Sequence, residues 1–350
     1  MKRNILLIAI CLLVAIGSLP NGTAKATDTD SLSRGKIVVA NRASGTISVI
    51  DTHSDEVTGT YALPASPNAP EPMYVVQSRK RVFVGDRANK RVAIFNSRNF
   101  ALEGTVPAGA GVFHMWVDPL DRQLWVNNDI DKTATVIDPV TLEVLATVPM
   151  PADLVAMGGR PHDVILDPLL GQFAYVTMIG FAGLNDFVVK FSARTFQEVG
   201  RAAVGKDPHL SAARQNKFLY VPCQNSNVVI VLNRHTMGEE ATIPIAGAHG
   251  AGMANNGKTF YTTNLPGGGI NGLFAIDTRT NSVVGAGLDT PFAAPHNIAL
   301  TPNGRKLYVT HSAGTLNKVT IYKLSGNNSI PDLIGEATVG FNPFGLAYVQ

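Results

Sequence analysis

The stretch Pro295-His296-Asn297-Ile298-Ala299-Leu300-Thr301-Pro302, continued by Asn303-Gly304-Arg305-Lys306 and Leu307-Tyr308-Val309-Thr310-His311, decides the fold. A short apolar strand runs into a Pro-Asn-Gly turn, and a β-branched, aromatic strand leaves it. An apolar segment from Val319 to Tyr322 makes a third strand, and polar turn residues precede a fourth.

The unit recurs from end to end. Aligned on His296, equivalent positions fall at Met73, His114, His162, His209, His249, His296 and Phe344, spaced by 41, 48, 47, 40, 47 and 48 residues. The second strand returns as Val38 to Asn41, Phe83 to Asp86, Trp125 to Asn128, Tyr175 to Met178, Tyr220 to Cys223, Tyr261 to Asn264 and Tyr308 to His311. Four strands at this period predict an all-β fold, a seven-bladed β-propeller of four-stranded antiparallel blades. The ends fit a closed ring. Ile37 to Leu63 supplies strands two to four of a blade, and Phe344 to Val349 supplies a lone first strand, so the two termini are expected to pair and leave no free edge. The expected organisation is a secretory signal peptide at 1–26, a flexible segment at 27–36 and one propeller domain at 37–350.

These repeats resemble the YVTN-type β-propeller family, through the strands Tyr261 to Asn264 and Tyr308 to His311, over roughly residues 35 to 350. The resemblance implies the fold. Activity is left open, since the fold's members include scaffolds, lactonases, lyases, haem d1 proteins and copper enzymes. The chain has no Cys-x-x-Cys-His haem attachment motif, Gly-x-Ser-x-Gly elbow or His-Glu-x-x-His helix.

Lys2 and Arg3 precede an apolar run from Ile5 to Ile16, then Pro20, Gly22 and Ala24-Lys25-Ala26, the layout of a secretory signal cut after Ala26. The expected location is periplasmic or secreted, with no membrane span in the mature chain. The formal charge of +3 resides in that leader, so the remainder is neutral and charge gives no case for nucleic acid. Cys223 is the one cysteine beyond the leader, which excludes an intrachain disulfide in the mature chain.

Five of the seven aligned positions are histidine, where composition alone would place far fewer than one. First strands are innermost in a propeller, so His114, His162, His209, His249 and His296 are expected to ring one channel mouth as ligands for copper or zinc. The competing reading packs each imidazole under its own loop. Second strands end at the same mouth, and there Met178, Cys223 and His311 are additional candidate ligands suited to a soft metal. Asp163 and Asp207 are candidates to orient an imidazole through its other nitrogen. Arg160 is a candidate for an anionic substrate, His53 and His235 are expected in exposed turns, and Gly267 to Gly269 reads as a mouth loop. The leading expectation is a metalloenzyme or metal carrier holding an ion, with or without a small molecule, in the channel. The alternatives are a metal-free scaffold with a protein partner on one face, and a lactonase or lyase with a catalytic histidine.

Overall fold

In each repeat the second and third strands are apolar on both sides, as in Arg81–Asp86 and Arg91–Asn96, and such strands need cover on both faces. Fourth strands such as Leu102–Pro107 alternate toward solvent and form the rim. The computed structural model describes residues 35–183, 185–265, 272–326 and 330–350. Its strands form seven antiparallel sheets; in six the strands run in chain order from centre to rim, and in the seventh Pro343–Val349 lies innermost, ahead of the first three strands of the chain. We number the blades by their first strands: Pro72–Ser78, Val112–Val117, Arg160–Leu166, Ser211–Ala212, Ala248–Met253, Pro295–Leu300 and Pro343–Val349. First strands of successive blades touch around the axis.

Blade seven closes the ring as expected. Pro343–Val349 lies antiparallel to Lys36–Asn41, with Lys36 opposite Val349, Val38 opposite Ala347 and Asn41 opposite Pro343. One boundary needs correction. The flexible segment was expected to reach residue 36, but Lys36 already pairs with Asp51, and Gly35 exchanges hydrogen bonds with the Thr52 hydroxyl. The expected signal peptide, residues 27–34 and Gly267 to Gly269 lie outside the described residues.

Among the described residues the core divides into seven apolar clusters, one between each pair of adjacent blades. The tyrosine that opens the second-strand motif bridges that interface. The Tyr175 hydroxyl donates to the Arg234 carbonyl at 2.9 Å, Tyr220 to Asn281 Oδ1 at 2.7 Å and Tyr308 to Asp55 Oδ1 at 2.7 Å, each in a turn of the next blade. The ring body thus packs against a neighbour while its polar end is satisfied.

Two irregularities were not foreseen. Blade five splits its fourth strand into Ser282–Val283 and Leu288–Asp289. A one-turn helix, Ala152–Ala156, follows Pro151 before blade three and buries Leu154 in the cluster between blades two and three.

Candidate metal centre

Six of the seven first strands carry one extra residue near their start. Pro161 pairs with Met178 but Val164 with Val176, and Pro295 pairs with His311 but Ile298 with Val309, so two residues oppose one. Such a bulge re-aims side chains. The opposing threonine stabilises it: the Thr310 hydroxyl accepts from the Asn297 amide at 3.1 Å and donates to the Phe344 carbonyl of the next blade at 2.9 Å. Thr263 does the same for Gly250 and His296, which gives the threonine of the second-strand motif its physical role. Blade four has no bulge, since Pro208 bridges Cys223 and Ser211 pairs with Tyr220 in one register.

The register corrects one alignment. In blade two Val112 pairs with Asn128 and Met115 with Val126, so Phe113 is the counterpart of His162 and His296. His114 is the residue after it, matching Asp163 and Asn297. Spacing alone could not separate two adjacent ring-bearing residues inside a bulge.

Two layers of side chains result. The collar is a closed circuit of six rings, Phe113, His162, His209, His249, His296 and Phe344, with successive centroids 5.0, 4.8, 3.9, 4.6 and 4.4 Å apart and 5.9 Å at the closure. Beneath it, Tyr74 lies against His114 at 3.7 Å between centroids, and Asp163 and Asn297 complete a polar layer. Blade five has glycine there because a Cβ on Gly250 would run into the His296 carbonyl. Tyr74, His114, Asp163, His209 and Asn297 help line a cavity of about 70 Å³ on the axis.

Asp163 organises the nitrogens. His114 Nδ1–H donates to its Oδ1 at 2.7 Å, and its Oδ2 accepts from the Leu210 amide at 2.8 Å and lies 3.7 Å from His209 Nδ1. With the proton held on Nδ1, His114 Nε2 keeps its lone pair, and that buried atom has no partner among the described residues. His162 Nε2 and His209 Nε2 are 3.4 Å apart. A tetrahedral ion with bonds of about 2.0–2.1 Å spaces neighbouring donors by about 3.3 Å. One donor atom from each of His114, His162 and His209 lies within 4.8 Å of the others, and the same holds for Asp207, His209 and His249. Both nitrogens of buried His249 lack partners among the described residues. His296 stands outside both triads, and its Nδ1 accepts from Asn297 Nδ2 at 2.6 Å.

Burial favours the neutral form of His114, His162, His249 and His296. It pushes His114 below the ordinary imidazole value against the pull of Asp163, and it holds His162 and His249 well below with help from neighbouring histidines. His296 is pushed down to about 3, burial again leading. Burial opposes the charge on Asp163, but His114 and His209 outweigh it and hold the carboxyl below its usual range. The result is four imidazoles held toward their neutral, metal-binding form near one carboxylate.

The second group of candidate ligands is not part of this centre. Met178 is packed between blades two and three, and Cys223 between blades three and four, where burial pushes the thiol up to about 12. His311 Nδ1–H donates to the Ala293 carbonyl and its Nε2 accepts from Thr320, so both nitrogens are engaged. Met178 and Cys223 thus face neighbouring blades, and His311 is held by Thr320 of its own blade and by the segment that leads into it. Arg160 is exposed, and its charge adds to what holds His162 neutral. Asp207 Oδ1 is 3.6 Å from His162 Nε2. His53 and His235 are exposed, as expected. Sequence reasoning missed Tyr74, Phe113 and Asn297; each sits beside an aligned position, and the bulge that brings it inward was the missing signal.

No family model and no curated protein matches the sequence. Among solved structures, the chain is similar to a provisionally assigned 6-phosphogluconolactonase from Bacteroides fragilis NCTC 9343, at 18% identity and TM-score 0.69 over 91% of this chain and 98% of that one. A protein from Lactobacillus plantarum gives 14% identity and TM-score 0.70 over 91% and 100% of the two chains. A dihydro-haem d1 dehydrogenase gives 14% identity and TM-score 0.59 over 90% and 75%. At these identities the likeness carries the fold alone.

Proposed function

We propose that this chain is an exported propeller that binds a copper or zinc ion at the channel mouth through His114, His162 and His209, with Asp163 orienting His114. The observation that carries the reading is the group of buried imidazole nitrogens without partners among the described residues, His114 Nε2 and both nitrogens of His249, beside the His162–His209 pair. Leaving such an atom unpaired costs about 1–3 kcal/mol, and an ion relieves that cost. A collar that served packing alone would repeat the phenylalanine of blades two and seven. Nitrogen and carboxylate donors suit zinc or copper(II), whereas calcium and magnesium favour oxygen sets. The bond from Asp163 to Nδ1 is the arrangement by which carboxylates fix metal-bound imidazoles. The tyrosine and threonine positions support reading the repeats as YVTN-type, and the Lys2-Arg3 leader supports export.

The test is metal content of untagged protein purified from its native exported compartment. The expected result is about one copper or zinc per chain, lost in a His162→Ala, His209→Ala double variant and kept in a His53→Ala, His235→Ala control. A parent without metal that also takes none up on titration overturns the reading.

A further inference from the structure

We infer that the centre has two stations for a single ion: an outer one, Asp207, His209 and His249, that takes it up, and an inner one, His114, His162 and His209, that retains it. The inference rests on the metal-binding reading above. Both triads include His209, whose Nδ1 side faces Asp163. One imidazole nitrogen offers one lone pair, so the sets are alternatives that exclude simultaneous filling. His249 gives the outer set its own support. It is 5% exposed with neither nitrogen partnered among the described residues, and the inner triad makes no use of it.

Exposure and donor chemistry set the direction. The stations share His209, and of the ligands that differ Asp207 in the outer set is the most exposed, at 25% of its side chain, while His114 in the inner set, at 7%, lies beneath the collar. A carboxylate near solvent attracts a hydrated cation and replaces its first waters, while a buried nitrogen set holds zinc or copper more selectively. Asp207 is fixed in place, its amide donating to Asp186 Oδ2 at 2.8 Å. Because Asp207 Oδ1 lies 3.6 Å from His162 Nε2, an ion can exchange Asp207 and His249 for His162 and His114 without leaving His209.

Metal-free mature protein, mixed rapidly with zinc and read with a chromophoric chelator, tests the two stations. D207N and His249→Phe are each expected to slow zinc association more than tenfold, and H114A to speed zinc release more than tenfold, with the parent holding one zinc per chain. Should H114A fail to fold, the two outer variants decide. Two zinc ions bound at once overturn the shared ion and mean two independent sites, and outer variants that associate as fast as the parent overturn the uptake station and leave a single site standing. A parent that binds no zinc or copper overturns the metal reading itself, and the stations with it.

Discussion

Replacing Asp163 by asparagine changes one atom of the carboxyl group, yet it should cost 10–100-fold in zinc affinity. Asp163 faces donors on both sides, His114 Nδ1–H at 2.7 Å and the Leu210 amide at 2.8 Å. Asparagine has one acceptor oxygen, so its NH₂ must face one of them. If the oxygen stays on Leu210, the NH₂ meets His114 Nδ1 and drives the imidazole proton to Nε2, the atom meant for the ion. Loss of such an orienting carboxylate costs 10–100-fold in metal affinity, about 1.4–2.7 kcal/mol. D163A should bind as weakly and also unfold more easily, because it strands the Leu210 amide at about 1–3 kcal/mol. Competition against a zinc chelator at pH 7, with thermal unfolding as the control for folding, separates the two effects. A folded D163N that binds zinc within threefold of the parent would refute the orienting role.

Deleting residues 343–350 removes the inner strand of blade seven with buried Phe344, Leu346 and Val349, each worth roughly 1.5–3 kcal/mol. The melting temperature should fall by at least about 10 °C; a truncated protein that melts with the parent would argue against closure as a source of stability. Acid should destabilise the metal-free fold. His114, His162, His249 and His296 have folded values below the unfolded value near 6.5, with His296 at about 3, so the unfolded chain binds the protons and stability is lost as pH falls from about 6.5 toward the folded values. Each group contributes up to about 1.4 kcal/mol per pH unit in its window, and a denaturation midpoint flat from pH 7 to 5 would contradict this. The same depression should let zinc binding persist below pH 6, where an ordinary imidazole would be lost to protonation. Cys223 is buried and its thiol donates to the Val221 carbonyl. A thiol reagent should leave it intact in the native mature protein and label it on unfolding; rapid native labelling would show an open path to it.

The architecture was legible in the chain because repetition is a local property. Each copy of the Pro295 to Tyr322 unit carries its own turn residues and apolar strands, four of the seven with a tyrosine opening the second-strand motif, and a lone first strand at Phe344 to Val349 can be satisfied only by the strand at the other end. The enrichment of imidazole at the channel mouth was legible for the same reason, as was the adjacency of Asp163 to His162. Which of those imidazoles converge was decided by the tertiary structure. A one-residue bulge, whose effect on register no spacing reveals, puts Phe113 in the collar and His114 beneath it, next to an aspartate from the following blade. The same geometry sends Met178 and Cys223 between blades and engages His311 within its own blade, although they end strands at the same mouth. A donor set depends on side-chain direction and on distances of a few ångströms between blades 40 to 50 residues apart, and only the closed ring brings those blades together.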